Sequence, residues 1–268
     1  MAQTRIEPTF SRLRERGEGA LVTYLATGDP SLDETVELVR ALEDAGADVV
    51  ELGMPFSDPV ADGPTIQAAC QRALAAGATP DAVFKTIARV RARSEVPIVI
   101  MTYVNLVHRP GYRAFAARAA EAGADAVLIT DLPVGAADEW IAECEAADLD
   151  TVFLVAPTSR PETLRLAGRR ASGFVYCVSR AGTTGARDSL PEELPEFLAQ
   201  VRAATTRPLC VGFGISSDRQ VAELLRHADG VVVGSALVDV VAAAPPGSRV
   251  QAARDFCRKL KQATKSHA

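Results

Sequence analysis

The chain is short of several things at once. Aromatic residues make up 5% of its 268 positions, with a single tryptophan, and there are three histidines. His108, His227 and His267 stand apart, in no H-x-x-H or H-E-x-x-H setting, so a zinc site is not expected. The five cysteines, Cys70, Cys144, Cys177, Cys210 and Cys257, are odd in number and scattered, and no two have metal-pair spacing. Cys177 and Cys210 fall in apolar runs, where a thiol behaves as a small hydrophobe. All five read as structural thiols in a reducing compartment. No apolar stretch approaches the roughly 20 residues that span a bilayer. The opening "MAQTRIEPTFSRLRERGEG" lacks the apolar core of a signal peptide, so the expected location is the cytoplasm, with no membrane partner. A basic tract is missing too. Net charge is −5 with both signs interspersed, which argues against nucleic acid as a partner.

What remains is a globular balance, 48% hydrophobic and 24% charged, at a length ordinary for an α/β barrel. One local grammar recurs. "ALEDAGADVVELG" (41–53), "RAAEAGADAVLITDLP" (118–133) and "LLRHADGVVVGS" (224–235) each run from helical pattern through small residues and Asp into an apolar strand. Glycine at a helix end takes left-handed backbone angles without steric cost. The apolar runs are too short for helices and rich in Val, Ile and Leu, as strands buried on both faces should be.

Extending this reading predicts eight strands, near 21–25, 49–53, 98–102, 126–130, 152–155, 174–177, 209–212 and 231–234. Helical patterns fill 32–45, 82–93, 112–122, 137–147, 161–170, 194–204, 217–227 and 249–261, with a short helix over 6–16 before the first strand. Ser31 and Ser217 suit N-caps, and Pro161 suits a first helical position. Eight strand–helix pairs point to a single-domain (β/α)₈ barrel of α/β class over 1–268, with extra loop helices. A doubly wound open sheet is the alternative. It usually announces itself by a Gly-rich turn after the first strand, where this chain reads "ATGDPS".

In such barrels the chemistry sits at the C-terminal strand ends. Glu51 lies near the end of the second strand and alternates with Val50 and Leu52, so its side chain should enter the barrel. Burial there raises a carboxyl pKa, which prepares a general acid/base. The plainer alternative is a glutamate paired with an interior cation. Asp62, in "DPVADGPT" before a helix from Pro64, is either a second functional acid or a helix cap. Asp58 suits a turn, and Asp29 and Asp131 are further acids at strand ends. Opposite them, "VGFGISS" (211–217) and "VVVGSAL" (232–238) are glycine turns opening helices at the seventh and eighth strands. They suit a phosphate, or are plain tight turns. "VSRAGTTGARDSLPEEL" (178–194) is a small-residue, polar loop, either a lid or a flexible surface segment.

With these residues assembled, the chain closely resembles the tryptophan synthase alpha-chain family. "VELGMPFSDPVADGPTIQ" carries most of the resemblance, and "TGDPS", "TYVNLV", "TDLPV", "SRAGTTGA", "GFGISS" and "GSA" follow in family order across residues 5 to 261. The resemblance implies retro-aldol cleavage of indole-3-glycerol phosphate to indole and glyceraldehyde 3-phosphate, with no metal or organic cofactor in this chain. It implies Glu51 as acid/base catalyst and Asp62 as the carboxylate on the indole N–H. Tyr24, Met101, Leu128, Leu154, Tyr176 and Phe213 match substrate-pocket positions. Gly185, Gly214, Gly234 and Ser235 match phosphate-binding positions, and Thr184 the lid threonine that reaches the aspartate. Thr23 stands where the family usually has proline, "YLATGDP" reorders the usual Thr–Ala, and Ala181 replaces a bulkier or hydroxyl residue. These departures bear on lid ordering and coupling to a partner. The implied partner is the pyridoxal-phosphate-dependent beta subunit, in an α₂β₂ complex that passes indole through a tunnel, with residues 55–60 and 102–112 at the contact. A free-standing indole-3-glycerol phosphate lyase and a catalytically silent barrel that activates the beta subunit are the other readings.

Overall fold

Eight parallel strands, β1 (Ala20–Ala26), β2 (Val49–Gly53), β3 (Ile98–Thr102), β4 (Ala126–Ile129), β5 (Asp150–Val155), β6 (Val175–Val178), β7 (Leu209–Gly212) and β8 (Gly230–Val233), close into a barrel in chain order. β1 pairs with both β2 and β8, so the open-sheet alternative is excluded. The computed structural model describes residues 4–179, 191–212 and 214–265. Within them the helices are α1 (Ile6–Glu15), α2 (Leu32–Ala45), α3 (Pro64–Ala75), α4 (Pro80–Arg91), α5 (Val104–His108), α6 (Tyr112–Ala122), α7 (Asp138–Ala146), α8 (Pro161–Arg170), α9 (Leu194–Ala204), α10 (Asp218–Leu224), α11 (Ser235–Ala243) and α12 (Arg249–Ala263).

Local chemistry sets the helix ends. The Ser31 side chain accepts the Glu34 N–H at 3.1 Å, and Ser217 and Gln220 form a reciprocal capping box at α10. Gly46 and Gly123 end α2 and α6 at φ of 103° and 90°, the left-handed conformation that glycine tolerates. α4 starts at Pro80, ahead of the expected residue 82. Thr79 caps it by accepting the Ala82 N–H at 3.2 Å, and proline suits the first turn. α10 stops at Leu224, short of the expected residue 227, where successive turns end at His227.

Strand alternation sorts the side chains into two cores. Leu21, Val50, Leu52, Ile100 and Val127 point outward into the large cluster shared with the helices. Val22, Val49, Val99, Leu128, Val152 and Val232 fill the barrel. Ile6, Phe10 and Leu13, one face of α1, join the inner cluster, so this helix plugs the N-terminal end.

The recurring Asp has a job that its sequence context did not reveal. Each sits just before an even-numbered strand and accepts an N–H at the start of the strand before it. Asp48 takes Leu21 N at 2.8 Å, Asp125 takes Ile98 N at 2.8 Å, and Asp229 takes Leu209 N at 2.7 Å. Ser172 does the same before β6, accepting Thr151 N at 2.9 Å. A cation backs each carboxylate: Lys261 on Asp48 at 2.7 Å, Arg91 on Asp125 at 2.9 Å, and Arg202 on Asp229. Asp125 is fully buried and takes a second arginine, Arg5, at 3.1 Å.

Removing one partner of a buried pair strands the other charge, at about 3–5 kcal/mol. Asp125→Asn keeps the shape but leaves Arg91 uncompensated, so we expect about 3 kcal/mol lower stability in urea unfolding. Asp44→Asn, on the exposed Arg254 pair, should change stability by less than about 1 kcal/mol in the same assay.

Candidate active site

Glu51 leaves the inner face of β2 near its C-terminal end, in register with Tyr24 on β1 and Val99 on β3. It is 1% exposed, and its Oε1 has no hydrogen-bond partner among the described residues. No lysine or arginine among them forms an ion pair with it, so the ion-pair alternative finds no support there. Burial, reinforced by the nearby Asp62 carboxylate, pushes its pKa up from 4.5 to about 8. At neutral pH this group carries a proton it can give away.

Asp62 reaches the same cavity from the β2–α3 loop. Gly63, not Asp62, occupies the N-cap of α3, and no side chain caps that helix. The capping reading therefore falls. Asp62 is 4% exposed, and its Oδ2 accepts the Tyr103 hydroxyl at 2.9 Å. Burial raises its pKa from 3.8 to about 6, while the tyrosine bond acts in the opposite direction. Two carboxyls thus face one cavity with pKa values pushed apart, the pattern of an acid beside an ionised carboxylate. Tyr103 was read from sequence only as part of a contact segment, because nothing in "TYVNLV" signals where the phenol points.

The cavity is lined by Tyr24, Glu51, Asp62, Ile66, Met101, Tyr176, Gly214, Val232, Gly234 and Ser235. Eight of these were expected; Ile66, between Thr65 and Gln67, and Val232, inside an apolar strand, were not singled out. Of the two other expected pocket residues, Leu128 lies inside the barrel in one cluster with Tyr176 and Val232, and Leu154 packs against that cluster and also borders a cavity beside α8. Thr184, Gly185 and Phe213, with Ala181 and most of the 178–194 loop, lie outside the described residues.

The two glycine turns differ in what they offer an anion. Before α10 the Ser216 and Ser217 amides are taken by Gln220 Oε1, and within it the Gln220 amide by Ser217 Oγ. At α11 the N-cap is Gly234, with no side-chain cap among the described residues, and Gly234 and Ser235 line the cavity, so the start of this helix borders it. Gly214, with φ of 86°, brings the seventh loop's backbone to the same rim. The other strand-end acids are spent on structure. Arg72 grips Asp29 through two bonds of 2.8 Å, and Asp131 accepts Val104 N at 2.7 Å. Thr23, at the position where the family usually has proline, is buried with its hydroxyl unpartnered among the described residues.

A (β/α)₈ barrel with two desolvated carboxyls converging on one cavity at its C-terminal mouth defines an acid–base barrel enzyme. A family model for the tryptophan synthase alpha chain matches residues 10–265. The tryptophan synthase alpha chain of Gloeobacter violaceus is 46% identical over 98% of this chain and 95% of its own length. That of a Roseiflexus species is 49% identical over 96% and 99%. Among solved structures, Mycobacterium tuberculosis tryptophan synthase superposes with a TM-score of 0.90 at 36% identity, covering 98% of this chain and 99% of that one. The chain belongs to the tryptophan synthase alpha chain family, lyases that cleave indole-3-glycerol phosphate and whose alpha chain needs no cofactor itself.

If Glu51 acts protonated and Asp62 ionised, activity is lost below the pKa of Asp62 and above that of Glu51. The pH profile of kcat/KM should be a bell, with an acid limb near pH 6 and a basic limb near pH 8. Steady-state rates of indole release from pH 5 to 9.5 check this, and a profile flat above pH 8 counts against Glu51 as the acid.

Proposed function

We propose that Glu51 and Asp62 perform the cleavage as a pair, Glu51 moving the proton and Asp62 holding charge. Glu51 protonates the indole carbon that bears the glycerol side chain. The ring becomes an electron sink, with positive charge on its N–H, and the Asp62 carboxylate offsets that charge. The adjacent glycerol hydroxyl then gives its proton back to the ionised Glu51. The carbon–carbon bond breaks, its electron pair enters the ring, and indole and glyceraldehyde 3-phosphate separate. The observation that carries this reading is a buried Glu51 with no cation partner among the described residues, beside a carboxylate of lower pKa.

Tyr24, Ile66, Met101, Tyr176 and Val232 form the apolar walls that suit an indole ring. The start of α11 at Gly234 and Ser235, with Gly214, holds the phosphate. Leu128 and Leu154, in or against the same inner cluster, complete these walls. We assign the pyridoxal-phosphate-dependent beta subunit of an α₂β₂ complex as partner and docking face to residues 55–60, where Val60 is 79% exposed. Five free, buried cysteines suit the reducing cytoplasm.

Two substitutions separate the parts of this reading. Glu51→Gln should lower turnover by about 10²–10⁴-fold while a non-cleavable indole phosphate analogue binds as before. Wild-type turnover in this variant overturns the acid/base assignment. At Gly234 the backbone is not left-handed, and an added Cβ would approach Tyr24 no closer than 3.5 Å, an ordinary contact. Gly234→Asp should therefore fold normally yet weaken binding of glyceraldehyde 3-phosphate by at least about tenfold, measured by calorimetry. Unchanged affinity removes the phosphate from this helix end.

A further inference from the structure

Asp62 sits in a loop, and a loop carboxylate is free to rotate unless something fixes it. The fixing group is on another loop. Tyr103 directly follows β3 and is the N-cap residue of α5, whose first amide, Val104 N, is tied to Asp131 at 2.7 Å. Its ring is 3% exposed and stacks on Phe56 at 5.2 Å between centroids. The phenol oxygen accepts the Ala61 N–H at 3.2 Å and donates its only proton to Asp62 Oδ2 at 2.9 Å. Two consecutive residues of the acid-bearing loop are thus gripped at one atom.

We propose that Tyr103 is a positioning residue for the cleavage: it fixes one oxygen of Asp62 so that the other is presented to the ring N–H of the substrate. This rests on the reading of Asp62 as the carboxylate that holds that N–H. Occupation of Oδ2 leaves Oδ1 as the free acceptor, and the grip on Ala61 N sets the height of the carboxylate above β2. The same bond also favours the ionised acid. Asp62 is faced by Glu51 from β2, Tyr24 from β1, Tyr176 from β6 and Cys70 from α3. Each of these is neutral or negative, so none helps to keep the carboxylate charged. The hydrogen bond from Tyr103 opposes the burial of Asp62. Its own phenol is shifted upward by burial and by Asp62, so it stays a donor throughout the working range.

The test is Tyr103→Phe in the full chain, which keeps the ring on Phe56 and removes only the hydroxyl. We expect kcat for indole release to fall about tenfold, with KM changed much less. The acid limb of the pH profile should move to higher pH, and the melting temperature should stay close to wild type. Difluorotyrosine at position 103, a stronger donor, should move that limb the other way and keeps the test open if the phenylalanine variant folds poorly. An acid limb unmoved in both variants overturns the proposal, as does a lowered melting temperature with an unchanged profile, which makes Tyr103 a packing residue. Asp62→Asn in parallel separates the layers. If it is inactive while the Tyr103 variants leave the limb unmoved, the proposal alone fails. Wild-type turnover by Asp62→Asn removes the reading beneath it.

Discussion

Burial of the Glu51 carboxyl with no counter-cation among the described residues is the constraint to which the rest of the mouth is fitted. An apolar barrel interior gives β2 no route to neutralise an ionised side chain, so the group keeps its proton to about pH 8. The second acid must then be kept ionised by other means, and it is placed on a loop with a hydrogen-bond donor beside it. Neighbouring strands give up side chains to make room. A Cβ on Gly53 would lie 2.2 Å from the Tyr24 hydroxyl, and one on Gly212 would lie 2.1 Å from that of Tyr176. Two aromatic rings flank the acid because two strand positions are glycine.

This arrangement opposes stability. A carboxyl whose folded pKa lies near 8, against 4.5 when unfolded, costs nothing while protonated in both states. Above 4.5 the unfolded chain ionises first, and folded stability declines until pH passes about 8. The opposite end of the barrel follows the reverse logic. There Asp48, Asp125 and Asp229 each have a cation and a backbone donor, and α1 seals the floor. Among the described residues, each of these base carboxylates has its cation, whereas the two acids of the cavity have none.

The sequence made the barrel legible because strand and helix periods differ and because a repeat of small residues and Asp marks the entries to β2, β4 and β8. Glu51 was legible for the same reason: one charge in an apolar run breaks a pattern. Asp62 was located but not interpreted, since an acid before Pro64 looks like a cap until the cap is found at Gly63. Tyr103, Ile66 and Val232 left no signal, because their importance lies in direction and neighbours rather than residue type. Leu128 and Leu154 are legible only in part: alternation places them inside the barrel but does not say at which depth.

The four ties at the barrel base follow a rhythm of two. β2, β4, β6 and β8 each reach back to β1, β3, β5 and β7, and none reaches forward. A chain divided between β4 and β5 would leave every one of these ties inside one fragment. The base is thus built from four two-strand modules, and the molecule has a natural seam at its midpoint. Glu51 and Asp62 fall in the first half with Tyr103, whereas Gly214, Gly234 and Ser235 fall in the second. The proposed proton chemistry and the proposed anion cradle therefore fall in different halves, and only a closed ring brings them to one cavity.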